Sequence, residues 1–284
     1  MEFPGRAIAR WVAVVITIYD FEQRSPEWHQ ARLGMVTASM IGRLISIDPA
    51  PAESTDCPVC SAEPGQPCWS MATKERKPIK VPHNLRVVAA ATLPPTYSPS
   101  SSDTAKRTMA TLVAERINGW SEPVFVSADM QRGVLDEPVA RKVYSDHFKV
   151  PVRQVGLVVR DDWGFRIGCS PDGLVGDDGG IECKSRRAAN HLTTVLADEV
   201  PVENMAQIQT SLLVTGRKWW DYVSFSGGMR LWVKRIYPDP DWQRAIVETV
   251  RAFEQRAAEM ISDYNAAVEG LPMTERSVYD LEIE

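Results

Sequence analysis

The sequence predicts a mixed α/β domain in which helices flank a central sheet, with a small insert near the start of the chain. Apolar residues recur at helical spacing in 103–117, 130–148 and 241–268. Short valine- and isoleucine-rich segments divided by glycine-containing turns fill 155–184 and return at 219–236. Prolines and three of the five cysteines are concentrated in 49–103. We therefore expect one large α/β domain interrupted by a segment of different character.

The N-terminal part predicts one strand and two helices. The apolar run 11–18 is much shorter than the roughly 20 residues of a membrane-spanning helix, and its valine and isoleucine content indicates a buried strand. Ser25 is a helix cap with Pro26 at the first helical position, and Gly34 ends that helix. A second helix is expected from Thr37 until the dipeptide at 48–49 stops it.

The remaining elements follow in order after the insert. Strands are expected at 155–159, 165–169, 173–175 and 181–184, a helix at 202–214 before Gly216, and strands at 219–225 and 229–236. A long amphipathic helix is expected at 241–268. We divide the chain into a main domain of residues 1–53 and 103–284, an insert of 54–90, and a flexible linker of 91–102.

Charge and cysteine content limit the function classes. The formal net charge is −5, so any contact with nucleic acid must come from local basic patches or bound cations. The odd number of unevenly spaced cysteines favours a protein of the reducing cytoplasm, without disulfides and without a membrane anchor.

Two carboxylates and one lysine are expected to meet at a strand pair. Asp172 follows a proline, and nine residues later come Glu182, Cys183 and Lys184. Residues two apart on a strand share a face, so Glu182 and Lys184 point together while Cys183 turns into the core. The turn at 177–180 folds this strand back beside Asp172. Carboxylate oxygens suit Mg²⁺, and a neighbouring ammonium suits the charge that develops during phosphodiester hydrolysis. The alternative is a solvated hairpin, because both parts of the pattern are common.

The insert has a set of residues typical of a zinc site. Cys57 and Cys60 form a CxxC pair, Cys68 follows after seven residues, and His83 after fourteen more. Such a set predicts a closed, structural tetrahedral site, which would hold together a segment too short to have its own core. The alternative is three free cysteines in a mobile loop. Cationic residues around His83 suggest a phosphate-contacting surface, with a solvated loop as the alternative; they are Lys74, Arg76, Lys77, Lys80 and Arg86.

From about residue 25 to about 237, the insert excepted, the chain resembles the lambda exonuclease and YqaJ-type viral recombinases of the PD-(D/E)xK nuclease superfamily. Four blocks carry the resemblance, and they occur in the family's order. They are 28–39 (WHQARLGMVTAS), 132–138 (RGVLDEP), 169–174 (CSPDGL) with 182–184 (ECK), and 206–209 (AQIQ) with 214–216 (VTG). The resemblance implies a restriction-endonuclease-like core.

The resemblance also implies roles for residues in these blocks. Two Mg²⁺ ions, with Mn²⁺ as a substitute, would be held by Asp172 and Glu182, with the backbone carbonyl of Cys183 as a further ligand. Glu137 would complete the metal site; its alternative role is that of a carboxylate favoured by a helix N-terminus. Gln207 would bind the attacking water or a phosphate oxygen, whereas without the resemblance it reads as an exposed helix residue.

A second group would bind the 5′-terminal phosphate of DNA. Arg32 and Ser39 match residues with this role, and Ser170 is expected to join them. For Arg32 the alternative is a surface cation. His29 stays outside the predicted site, because a lone histidine is more often structural. A held 5′ phosphate with cations on the next linkage dictates cleavage from the 5′ end.

The resemblance thus implies a Mg²⁺-dependent 5′–3′ exonuclease that acts on double-stranded DNA ends and leaves 3′ single-stranded tails for phage recombination. It further implies a homotrimer, a single-strand annealing protein as partner, and a location in the bacterial cytoplasm. Two alternatives stay open: an endonuclease of the same fold, and a non-catalytic, zinc-dependent DNA-binding module.

Overall fold

The structure is a computed structural model that describes residues 15–72, 75–123 and 126–276. The helices are α1 Pro26–Arg32, α2 Ala38–Leu44, α3 Asn84–Ala90, α4 Asp103–Asn118, α5 Ala128–Phe148, α6 Ala188–Ala197, α7 Val202–Thr215 and α8 Pro240–Ala267. The strands are β1 Ile16–Tyr19, β2 Ile45–Asp48, β3 Thr96–Pro99, β4 Val152–Arg153, β5 Leu157–Arg160, β6 Ile167–Cys169, β7 Gly173–Val175, β8 Gly179–Ser185, β9 Trp219–Phe225 and β10 Trp232–Ile236.

The central sheet is mixed and has the strand order β10-β9-β8-β7-β4. Strands β8 and β9 run parallel, and β7 turns back antiparallel on β8, with Gly173 opposite Ile181. A smaller antiparallel sheet, β1-β5-β6, adjoins the same core, which α2, α4, α7 and α8 cover. The predicted mixed α/β architecture, with helices flanking the sheet, is therefore confirmed.

Two glycines at the start of β8 let large aromatic side chains lie against the strand. A Cβ atom on Gly179 would overlap the ring of Trp219, and one on Gly180 would overlap the ring of Trp220. Trp220 is fully buried. These contacts bring β8 and β9 together at the end of the strand that leads into Glu182.

A buried polar contact holds the long helix α5 against the sheet. The hydroxyl of Tyr144 donates to Oδ2 of Asp221 at 2.6 Å, and Arg235 pairs with both oxygens of the same carboxylate. Asp221 lies on β9 and is buried. A buried charge needs such partners, so this network fixes the helix that carries Glu137.

Two expectations for the region around the insert are wrong. The second helix ends at Leu44 rather than at 48, and the next four residues form β2. Residues 91–102, expected to be a flexible linker, contain β3, which pairs antiparallel with β2 from Asp48↔Thr96 to Ile45↔Pro99. Tyr97 packs on Trp242 with ring centroids 4.3 Å apart. Backbone pairing and this aromatic contact order a segment whose composition is that of a linker.

The other differences are smaller. Helix α6 was not expected from the sequence, and β10 begins at Trp232 rather than at 229. The first strand is described only from Ile16, so residues 11–14 of the expected strand lie outside the described residues. Among the described residues, no helix has the length and apolar content needed to cross a bilayer.

Candidate active site

Asp172 and the strand β8 meet as the spacing predicts. Oδ2 of Asp172 accepts a hydrogen bond from the backbone N–H of Cys183 at 2.6 Å. Glu182 and Lys184 point to one face of β8, where Nζ of Lys184 lies 2.7 Å from Oε1 of Glu182. Cys183 points the other way, into a cluster with Ala140 of α5. The three groups expected from the sequence therefore lie side by side.

Gln207 of α7 completes this arrangement. Its Nε2 donates to Oε1 of Glu182 at 2.7 Å, and its Oε1 accepts from Nζ of Lys184 at 3.0 Å. Oε1 of Glu182 thus has two donors. Its other oxygen, Oε2, is buried and has no hydrogen-bond partner among the described residues. One oxygen is fixed and the other is available to a ligand.

The charges of the site favour a bound cation. Burial and the neighbouring Glu182 and Glu137 carboxylates raise the pKa of Asp172 well above its ordinary value. Burial would lower the pKa of Lys184, but the carboxylates of Glu182 and Asp172 outweigh it and raise that pKa. A divalent cation would relieve the repulsion between the acids and give the unpaired oxygen of Glu182 a partner, so this donor set fits Mg²⁺.

Glu137 lies near these groups but is engaged elsewhere. Its Oε1 accepts from Nη2 of Arg141, one turn further along α5, and its Oε2 lies 3.4 Å from Nη2 of Arg24. Arg141 also donates through Nε to the backbone carbonyl of Asp172 at 2.7 Å. The structure therefore ties Glu137 to Asp172 through Arg141, rather than through a shared cluster of acidic oxygens.

The residues expected to hold a 5′ phosphate form a second group. Nη2 of Arg32 donates to Oγ1 of Thr37 at 3.1 Å and lies 3.4 Å from Oγ of Ser39. The guanidinium stacks on Trp28, 3.8 Å from the ring centroid. Among the described residues, Arg32 has no ion pair with a carboxylate. Burial lowers its pKa to about 10, so it stays a cation at neutral pH.

The two groups are connected. Nε1 of Trp28 donates to Oγ of Ser170 at 2.8 Å, and Ser170 stands two residues before Asp172. Ser39 and Gln207 line one groove of about 300 Å³ between α2 and α7, which we call the terminal groove. Ser170 thus contacts the Arg32 group through Trp28, and the terminal groove extends from Ser39 to Gln207, which contacts Glu182.

The four expected zinc ligands come together in the insert. Ligand atoms of Cys57, Cys60, Cys68 and His83 all lie within 4.8 Å of one another. Tetrahedral Zn–S bonds place sulfur atoms about 3.8 Å apart, so this set fits zinc. Among the described residues it is the one group of three or more cysteine, histidine or acidic side chains close enough to hold a metal. The three cysteines are buried, which contradicts free thiols in a mobile loop.

Hydrogen bonds prepare these thiols for metal. Burial alone raises the pKa of Cys60, but the backbone N–H groups of Trp69 and Ala62 and the thiols of Cys57 and Cys68 bring it down to about 7. The backbone N–H of Trp69 lies 3.3 Å from Sγ of Cys60. A thiolate is the form that binds zinc, so these contacts favour metal binding at neutral pH.

Arg86 has a different place from the one expected. It was assigned to a phosphate-contacting surface, but its side chain is 0% exposed. It donates to the backbone carbonyls of Thr55, Glu63 and Gln66 at 2.8 to 2.9 Å, and Nη1 lies 3.4 Å from Sγ of Cys68. Arg86 is therefore an internal part of the insert that carries the four zinc ligands, which we call the zinc module. Of the remaining cations, Arg76, Lys77 and Lys80 are exposed, and Lys74 lies outside the described residues.

Sequence reasoning missed Arg24, Arg141 and Thr37. Arg141 stands four residues after Glu137, a spacing that places both side chains on one helix face. That signal was present in the sequence. Arg24 reaches Glu137 only through the fold, because 113 residues separate the two, so local spacing could not reveal that contact.

Comparisons with known proteins place these observations in a family context. Residues 89–218 match the family model described as "YqaJ-like viral recombinase domain". Residues 23–101 match the model described as "Putative DNA-binding phage zinc finger domain". The first match contains the Glu137, Asp172, Glu182, Lys184 and Gln207 positions. The second contains Arg32, Ser39 and the four metal ligands.

The fold is similar to that of an alkaline exonuclease, LHK-Exo, from Laribacter hongkongensis. The two chains are 26% identical with a TM-score of 0.61, and the similarity covers 87% of this chain and all of the other. A second structure of LHK-Exo, in complex with dAMP, gives the same values. No curated protein matches the chain.

Proposed function

Residues 89–218 match the model of a YqaJ-like viral recombinase domain, and from that premise we propose that this nuclease is a Mg²⁺-dependent 5′–3′ exonuclease of double-stranded DNA. It degrades one strand from its 5′ end and leaves 3′ single-stranded tails for phage homologous recombination. The observation that carries the proposal is the contact of Glu182 with Lys184 and Gln207 beside Asp172, with Oε2 of Glu182 unpaired.

Asp172 and Glu182 would hold the cations, with the carbonyl of Cys183 and with Glu137 once it leaves Arg141. Bound Mg²⁺ would activate water and polarise the phosphate. Lys184 would hold its ammonium against the phosphate oxygens as negative charge develops there. Gln207 would fix both Glu182 and Lys184, and its amide would bind the attacking water or a phosphate oxygen.

The Arg32 group supports the 5′ polarity. Arg32 is a half-buried cation whose partners are hydroxyl groups, and this is the arrangement that a phosphate would complete. The terminal groove joins this group to Gln207. LHK-Exo was solved with dAMP, a nucleoside monophosphate, and we infer that the terminal groove takes such a terminal nucleotide here.

The zinc module is proposed to contact DNA beside this groove. Its family model is described as DNA-binding, and Arg76, Lys77 and Lys80 are exposed on it. The site with three cysteines and a histidine is closed, so zinc would have a structural role there. The same proposal includes a homotrimer, a single-strand annealing partner and a cytoplasmic location. It also includes the division into a main domain of 1–53 and 103–284 and an insert of 54–90.

The test uses linear duplex DNA with a 5′ phosphate, the same duplex with a 5′ hydroxyl, and a covalently closed circle. We expect Mg²⁺-dependent release of nucleotides from the first, slower release from the second and none from the third. Asp172→Asn is the inactive control. Opening of the circle would instead establish the endonuclease. Tight DNA binding without any Mg²⁺-dependent cleavage would establish the non-catalytic binding module.

A further inference from the structure

A second groove, which we call the basic groove, has Lys184 among its lining residues. Its volume is about 500 Å³, and four cations and one carboxylate are among its lining residues. The net charge of the whole chain is −5, so this local excess of positive charge opposes the overall balance. The cations are Lys184, Arg132, Arg186 and Arg187, and the carboxylate is Asp129.

The arginines of the basic groove are held in place. Asp129 accepts from Arg132 at 2.6 Å and from Arg187 at 3.1 and 3.2 Å. Arg132 also donates through Nε to Oγ of Ser185 at 3.0 Å. One carboxylate therefore orients two guanidinium groups without cancelling both charges. Side chains fixed in this way lose little conformational entropy when an anion binds.

A helix N-terminus opens at the same place. Helix α6 begins at Ala188, and its N-cap residue Arg187 makes no side-chain capping hydrogen bond. Arg187 and Asn190, which flank this first turn, both line the basic groove. Unpaired backbone N–H groups at a helix N-terminus bind phosphate well, and the adjacent arginines add full positive charges. Helix and side chains thus favour the same kind of ligand.

The two grooves meet at the candidate active site. Gln207 lines the terminal groove and Lys184 lines the basic groove, and their side chains are hydrogen-bonded at 3.0 Å. A strand whose 5′ phosphate lies at Arg32 and Ser39 would pass this contact at its first linkage. Its next phosphates would then reach the basic groove, which Lys184 also lines.

We propose that the basic groove binds the backbone phosphates of the cleaved strand on the 3′ side of the scissile linkage, through Arg132, Arg187 and the N-terminus of α6. This rests on the proposed nuclease function. The ligand is a nucleic-acid backbone, read without regard to base sequence, so the groove would hold the strand while successive nucleotides are removed.

The experiment measures binding and cleavage separately. Binding of a long 5′-phosphorylated duplex is titrated with Ca²⁺ in place of Mg²⁺, across a series of salt concentrations, for the wild type and for Arg132→Gln/Arg187→Gln. The control is Arg244→Gln/Arg256→Gln, because each of these arginines is exposed and paired with an acid three residues away, as Arg132 is with Asp129. Cleavage with Mg²⁺ compares the long duplex with a 5′-phosphorylated dinucleotide, which is too short to reach the basic groove.

Arg132→Gln/Arg187→Gln, which we call the groove variant, should lower the slope of log affinity against log salt by about 0.9 for each lost phosphate contact. The control should keep the wild-type slope. The groove variant should weaken binding of the long duplex at least about tenfold at 200 mM salt and leave dinucleotide cleavage unchanged. Asp129→Asn, which removes the neutralising carboxylate, should tighten duplex binding.

An equal salt dependence of DNA affinity in the groove variant and the wild type would overturn the proposal. So would an equal loss of dinucleotide and duplex cleavage, because that would place both arginines at the reacting linkage. If the wild type cleaves neither substrate, the nuclease function fails, and the salt slopes in Ca²⁺ still decide whether the groove binds DNA.

Discussion

The side-chain amide of Gln207 donates to Oε1 of Glu182 at 2.7 Å, and the other oxygen of that carboxylate is buried and unpaired within the part of the chain that the structure describes. Because the amide also accepts from Lys184, Gln207 orients the acid and the amine together. Gln207→Leu should therefore lower the turnover number by about 10² while DNA affinity stays within a few-fold. Single-turnover rates and duplex binding in Ca²⁺ measure the two effects. A variant with weaker binding and normal turnover would contradict this role.

Lys184→Met should reduce turnover by about 10²–10³, because an ammonium beside the reacting phosphate stabilises charge that is present mainly in the transition state. Lys218→Met is the matched control, since Lys218 is an exposed lysine that pairs with Asp178 at 3.0 Å. The turnover rates of the two variants at saturating Mg²⁺ test this prediction. Similar losses in both variants would argue against a specific part for Lys184.

Asp172→Asn should abolish cleavage and yet stabilise the metal-free protein at neutral pH. Burial and the carboxylates of Glu182 and Glu137 raise the pKa of Asp172 in the folded state. The stability from this group is therefore fully present below the unfolded pKa of about 3.9 and is lost as pH rises through the higher folded pKa. The melting temperature of the variant should exceed that of the wild type by an amount that grows from pH 4 to pH 8, and Mg²⁺ should shrink this difference. A variant of lower stability throughout that range would refute the argument.

Arg32→Lys should reduce the preference for a 5′ phosphate over a 5′ hydroxyl by about tenfold or more, because lysine cannot form the planar fork of hydrogen bonds that a guanidinium gives. The stacking on Trp28 would also be lost. The ratio of cleavage rates on the two duplexes measures the preference. Arg43→Lys is the control, because Arg43 lines the terminal groove but does not belong to the Arg32 group. An unchanged ratio in Arg32→Lys would move the phosphate site elsewhere.

Arg86→Met should weaken zinc binding by about 10–100-fold, as changes to groups that support metal ligands commonly do. The arginine joins three backbone carbonyls to Sγ of Cys68, and its positive charge balances the closed set of three thiolates. Zinc release to a chromogenic chelator gives the affinity, and the cobalt-substituted protein gives an absorption spectrum that reports on the thiolate ligands. Lys80→Met, an exposed cation of the same module, should behave as the wild type. Equal affinities in all three proteins would reduce Arg86 to a packing residue.

The sequence predicted the features whose residues are close together in the chain, and not those that depend on distant residues. Period-two spacing placed Glu182 and Lys184 on one face, and a cysteine pair with two further ligands indicated the zinc cluster. Arg86 was misplaced, because an arginine close in sequence to several other cations has the pattern of a surface cation. Its burial depends on carbonyls up to 31 residues away. Likewise, Leu44 and Ile45 continue a helical pattern, and only the partner strand β3 shows that a strand begins there.

The pairing of β2 with β3 makes the insert separable from the rest of the fold. The insert leaves the body at Asp48 and returns at Thr96, and these two residues are paired neighbours on adjacent strands. A short hairpin turn could join them without moving Tyr97 from Trp242. The insert could therefore be gained, lost or exchanged in evolution without change to the rest of the fold. A protein engineer could likewise join another DNA-binding module to β2 and β3.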